Sequence, residues 1–174
     1  MTKTTLVCII FICFCFVSFG QKSLEAIKKE YDSLTKNTIY GNNPAAGKYY
    51  DIRGFKMYCE TYGEGAPLLL IHGNGASIST FVKQIPFFSK KYKVIVADSR
   101  NHGKSVDKLD SLSYEMMADD YAALLSQMKI DSAYVLGWSD GGVNGLLLAI
   151  RHPEKVKKLV ITGANLRPDS SAVS

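Results

Sequence analysis

The sequence predicts an α/β architecture, a mostly parallel sheet with helices on both faces, and three observations carry that reading. Apolar runs at 68–71, 94–97, 134–136 and 159–162 lack the polar alternation of a half-exposed strand. Between them lie segments whose apolar residues recur at helical spacing. Glycine-bearing turn motifs follow the first three runs, where a strand would hand over to a loop. Strands buried on both faces and joined by helices form a covered parallel sheet.

The elements follow in order. Residues 1–20 carry Lys3, an uncharged apolar run at 6–19, and Ser18 and Gly20 as small residues before a cut ahead of Gln21. That is the pattern of a secretory signal peptide, so the expected location is exported, periplasmic or secreted. The run is shorter than the roughly 20 residues a spanning helix needs, so no stable membrane anchor is expected. Cys8, Cys13 and Cys15 fall within the leader, and the mature chain keeps only Cys59. One cysteine closes no internal disulfide, and no metal site or cofactor is expected.

Residues 21–48 read as an amphipathic helix and linker. Leu24, Ile27, Tyr31 and Leu34 stand at helical spacing, and 41–47 is rich in Asn, Gly and Pro. Residues 49–174 form the expected domain. It opens with aromatic-rich runs at 49–53 and 55–62 around Gly54, an antiparallel hairpin ended by Gly63-Glu64-Gly65. A short helical region is expected at 81–88. Met117, Tyr121, Leu124, Leu125 and Met128 form one face of a longer helix, with Ser113 as N-cap and Glu115 in the first turn. The apolar segment 143–150 forms a last helix, stopped by His152-Pro153.

Charge excludes one class of function. The formal net charge is +5, and about +4 once Lys3 leaves with the leader. The densest basic groups, Lys28-Lys29 and Lys155 to Lys158, sit at helix or strand edges with no interleaved aromatics. A nucleic-acid partner is therefore not expected.

The chemistry concentrates in Gly137-Trp138-Ser139-Asp140-Gly141-Gly142. A strand ends, the chain turns sharply at a serine, and a helix begins. The glycines on either side of Ser139 permit a backbone too tight for side chains, and the hydroxyl is exposed beside unpaired helix N–H groups. Two further motifs precede it: His72-Gly73-Asn74-Gly75 after the first parallel strand, and Asp98-Ser99-Arg100-Asn101-His102-Gly103-Lys104-Ser105 after the second. In this order, over about residues 49–168, the three resemble the α/β-hydrolase superfamily. The elbow together with Ile161-Thr162-Gly163-Ala164-Asn165 looks most like the biphenyl-hydrolase-like and valacyclovir-hydrolase group.

The resemblance implies a small-molecule ester or acyl substrate and roles for individual residues. Ser139 would be the nucleophile that forms an acyl-enzyme. The backbone N–H groups of Asn74 and Asp140 would form the oxyanion hole. Asp140 and Trp138 would bind substrate, with Asp140 taking the amino group as the acid beside the nucleophile does in valacyclovir-hydrolase-like enzymes. Asp140 also suits a helix N-terminus for dipole reasons alone. His72 would shape its turn, and His102 lies in a turn whose usual glycine is here Asn101. His152 ends a helix at the surface, and Cys59 reads as a small hydrophobe within a strand.

A serine of this kind needs a base and an orienting acid, which in the superfamily follow the nucleophile in chain order. No histidine follows His152, and Asp169 is the one acid after the last apolar run. The expectation is an α/β-hydrolase fold in its N-terminal part only, without the C-terminal strands and lid, and a chain that is poorly active and prone to aggregate. The alternatives are a non-catalytic binding protein of this fold and a C–C bond hydrolase using the same serine. A dehalogenase would need Asp where Ser139 stands.

Overall fold

The computed structural model describes residues 23–108 and 112–165. The expected leader, the cut between Gly20 and Gln21, and Asp169 lie outside the described residues.

Helix α1 (Leu24–Lys36) forms where the spacing placed it, and it buries none of its residues. From Thr35 onward the chain forms one compact unit. The linker at 41–48 belongs to that unit, and its anchor is Glu60, which is fully buried. The Glu60 carboxylate accepts the backbone N–H groups of Gly41 and Asn43 and the hydroxyls of Tyr58 and Tyr62. Four donors on one carboxylate make its burial tolerable.

The strands are β1 (Gly47–Ile52), β2 (Phe55–Tyr62), β3 (Ala66–Ile71), β4 (Tyr92–Ala97), β5 (Ala133–Trp138) and β6 (Val156–Thr162). They form one sheet in the order β1-β2-β4-β3-β5-β6. β1 and β2 are the expected hairpin, and β2 runs antiparallel to β4. The remaining four are mutually parallel, with Leu70 beside Val96 on one flank and Leu136 on the other.

Both faces of the central strands are covered, which is why their sequences do not alternate. Leu69, Ile71, Ile95, Ala97 and Val135 pack with Tyr121, Leu124 and Leu125 of α3 (Tyr114–Gln127) and Leu148 of α4 (Asp140–Arg151). On the other face Leu68, Leu70, Val94 and Val96 meet Ile78 and Phe81 of a short 3-10 turn and Ile85 of α2 (Gln84–Phe88). The cap of α3 is as expected: Ser113 Oγ accepts the N–H of Met116 at 3.2 Å. Helix α4 starts at Asp140, ahead of the apolar segment at 143–150, because Asp140, Gly141 and Gly142 already form its first turn.

β6 is less protected. Among the described residues it pairs only with β5, and Val160, on the face away from α4, is 59% exposed. An apolar edge of this kind is an aggregation liability.

Candidate active site

The three motifs meet at one end of the sheet. They follow β3, β4 and β5, and β3 lies between β4 and β5. The chain leaves β3 toward one flank and leaves β5 toward the other, which opens a crevice between them at their carboxyl ends.

Ser139 sits at the bend between β5 and α4 with φ 55° and ψ −126°, a conformation strained for a residue with a side chain. The turn is tight enough to need its glycines. A Cβ on Gly137 would fall 2.2 Å from the carbonyl oxygen of Gly141, and one on Gly141 would fall 2.1 Å from that of Ile71. The Ser139 N–H donates to Thr162 O at 2.9 Å, tying the bend to the end of β6. Its carbonyl accepts Gly142 N–H at 2.8 Å, which leaves the N–H of Asp140 at the open start of the helix. Gly73 lies against the bend: a Cβ there would stand 2.9 Å from Ser139 Cβ.

The loops around this bend are held by paired polar groups. His72 is 1% exposed. Its Nε2 accepts Ser99 N–H at 3.0 Å, so its proton lies on Nδ1, 2.8 Å from Gly73 O. Burial pushes its pKa down to about 4, and the ring is a neutral strut with no free nitrogen. Asp98 ties two loops together, accepting the N–H of Ile78 through Oδ1 and that of Lys104 through Oδ2. Asn101 adopts φ 58°, a left-handed conformation that suits glycine and that asparagine tolerates, and its Oδ1 accepts Asp107 N–H.

Arg100 is buried and forks onto Asp120 of α3 at 2.7 and 2.8 Å, with Asp107 bonded to Nη1 and the Phe55 ring beneath. It roots the turn after β4 in helix α3.

A pocket of about 240 Å³ opens beside the bend. Asn74 and His102 line it from the loops, Tyr114 and Met117 from α3, and Asp140 and Asn144 from α4. Of the residues assigned from sequence, Asn74 and Asp140 line this pocket. Trp138, 41% exposed, packs by Gly73 and Gly163, and neither it nor Ser139 belongs to the lining. Asp140 accepts a hydrogen bond from the Tyr114 hydroxyl, whose pKa is raised by burial first and by that bond second.

The other histidines are engaged elsewhere. His102 places Nδ1 2.8 Å from Arg100 O and Nε2 3.2 Å from Asn74 Oδ1. His152 is partly buried, and its Nε2 lies 2.8 Å from Asp119, which also pairs with Arg151. Among the described residues no group hydrogen-bonds the Ser139 hydroxyl, and no three His, Cys, Asp or Glu side chains could hold a metal ion. No described helix is long and apolar enough to cross a membrane. Cys59 is fully buried, and burial pushes its thiol up to about 12.

Asp98, Arg100, Tyr114 and Asn144 were not singled out from sequence. For Asn144 a signal existed: it is the one polar side chain inside the apolar segment 143–150.

This geometry has a family. Residues 66–173 match the family model described as alpha/beta hydrolase fold, and the chain belongs to that family. Within it, the chain is 32% identical over 127 residues to 2-hydroxymuconate semialdehyde hydrolase of Pseudomonas sp. (strain CF600), covering 71% of this chain and 45% of that protein. It is 34% identical over 120 residues to the serine hydrolase BPHL of Homo sapiens, covering 66% and 41%. Among solved structures, the N-acyl homoserine lactonase AidH complexed with N-butanoyl homoserine is similar at 38% identity and a TM-score of 0.64, covering 68% and 44%. The chain spans less than half the length of each of these relatives.

Proposed function

We propose that Ser139 is the nucleophile of a hydrolase acting on small carboxylic esters or related acyl compounds through an acyl-enzyme. The observation that carries this is the strained serine at a glycine-walled bend, set at the start of α4 beside a pocket. Strain at such a position is characteristic of functional sites. The hydroxyl attacks the carbonyl, and the oxyanion is met by the N–H groups of Asp140 and Asn74. Each such donor contributes about 3 kcal/mol as charge develops. The general base is none of the described histidines, because His72, His102 and His152 are each committed to other partners.

Asp140 supports a preference for amine-bearing substrates, since its carboxylate lines the pocket. An amino-acid p-nitrophenyl ester should then be turned over faster than its deaminated analogue, and equal rates would remove this preference. Export through the leader at 1–20 belongs to the same reading. A mature secreted chain should begin at Gln21 by N-terminal sequencing, and one retaining residue 1 would refute it.

The test of the nucleophile uses p-nitrophenyl butyrate in excess over the 174-residue chain. The expected result is slow release of p-nitrophenol and an acyl adduct mapped by mass spectrometry to Ser139, both absent in Ser139→Ala and both retained in His102→Gln. An adduct elsewhere, or none, overturns the assignment. Fast turnover that His102→Gln abolishes would make His102 the base.

A further inference from the structure

The pocket contains one polar group that the fold leaves without a partner. Among the described residues, Asn144 Oδ1 is the one buried side-chain oxygen or nitrogen with no hydrogen bond. The residue is 1% exposed and lines the pocket. Its amide nitrogen points at Met117 Sδ, 3.9 Å away, which fixes the orientation, because a thioether can only accept. The oxygen is therefore the end without a partner, buried at the wall of the pocket. Such a group is rare in a folded protein and costs stability unless something meets it.

The polar neighbours in the pocket are already committed. Ser99 Oγ pairs with the Tyr121 hydroxyl at 2.8 Å, His72 is bonded at both nitrogens, and Ser113 Oγ caps α3. The Tyr114 hydroxyl donates its hydrogen bond to Asp140. None of these is placed to satisfy the Asn144 oxygen. Asn144 stands one helical turn beyond Asp140, so the two acceptors share a face of α4. Met117 beside it is unbranched, with the rotamer freedom to let a ligand group reach the amide.

We infer that Asn144 is a specificity-determining residue, whose Oδ1 accepts a hydrogen bond from a neutral donor on the substrate, a hydroxyl or an amide N–H. This rests on the pocket being the substrate site of the proposed hydrolase. It is separate from the amine preference assigned to Asp140, because it asks for an uncharged donor deeper along the helix. A site built to bond a hydroxyl discriminates against the analogue lacking it, since the buried acceptor is then left unpaired.

The experiment compares two neutral probes of nearly the same shape, benzyl alcohol and benzyl methyl ether, which differ in the hydroxyl donor. Binding to the 174-residue chain is followed by ¹H–¹⁵N NMR titration, including the side-chain NH₂ signal lost in Asn144→Leu. The alcohol should bind about tenfold more tightly than the ether, the size of one hydrogen bond to an otherwise unpaired acceptor. In Asn144→Leu both should still bind, at a ratio near one. Equal affinities in the wild-type chain, a comparison that needs no variant, overturn the inference and leave the pocket reading standing. A preference that survives in a folded Asn144→Leu also overturns it. Failure of both probes to bind overturns the pocket as a substrate site, and this inference with it.

Discussion

The loops after β3 and β4 and the first turns of α4 line the same pocket yet treat polar groups in opposite ways. In the loops, His72, Asp98, Ser99, Arg100 and Ser105 are all at most 2% exposed, and each is paired. At the start of α4, Ser139 is held in a strained conformation, and among the described residues nothing bonds its hydroxyl or the Asn144 oxygen. Paired polar groups fix a shape, whereas unpaired ones store a cost that a ligand can relieve. The loop frame of the candidate site thus differs from Ser139 and Asn144 in hydrogen-bond satisfaction, while Asp140 beside them is bonded by Tyr114.

The largest effect should come from the scaffold. Arg100→Ala removes the two short bonds to Asp120, a carboxylate with no solvent exposure whose pKa burial already raises, and leaves it only the half-exposed Arg53 at 3.4 Å. Breaking a buried pair by deleting one member costs about 3–5 kcal/mol. Urea unfolding should show that loss. A change under about 1 kcal/mol would mean that the turn is not held as described, and the difference between the two regions would collapse.

A second effect of similar sign depends on pH. An unfolded His72 takes up a proton below its ordinary pKa of 6.5, while the buried ring resists protonation down to about 4. Its contribution is complete above pH 6.5 and is lost as the pH falls from 6.5 to 4, by about 3 kcal/mol. Asp119 occupies a different window. Its hydrogen bond to Arg151 holds its pKa down to about 2, so its contribution is present above 3.8 and fades as the pH falls from there to 2. Between pH 7.5 and 4.5 the loss at His72 is opposed by Asp98 and Asp120, whose pKa values burial raises, so the His72 part is read from the variant: the acid-induced loss should shrink in His72→Asn. An unchanged difference would place the acid sensitivity elsewhere.

Much of this molecule is legible in its sequence, for physical reasons that also mark where reading stops. Continuous apolar runs at 68–71 and 94–97 report burial on both faces, so the central strands and the helices beside them follow, whereas the run at 159–162 forms a strand that is mostly exposed among the described residues. The glycines around Ser139 report a close approach of backbone, so the bend follows too. Asn101 fits as well, since a left-handed turn accepts asparagine where glycine is usual. The lateral order of strands leaves no local trace, and nothing in 66–71 says that β3 lies between β4 and β5. Arg100 carries no reading of its own in the sequence because its main partner, Asp120, is twenty residues away on a helix. The linker at 41–48 reads as external because its anchor, Glu60, is an acid in a strand that only the fold shows to be buried.

The smallest expected effect has two signs, and the signs carry the distinction. Ser113→Ala removes a cap that bonds Met116 N–H, and should cost about 1 kcal/mol. Asn144→Leu replaces a side chain of comparable bulk while deleting the orphaned oxygen, and should stabilise the free protein by up to about 1 kcal/mol. A stabilising substitution at a buried polar residue is expected where selection has kept that residue for binding rather than for folding. Both changes are small enough to be read as shifts in the urea midpoint at constant slope. If Asn144→Leu instead destabilises as Ser113→Ala does, the Asn144 amide belongs to the scaffold, and the boundary between paired frame and unpaired site moves back to Ser139.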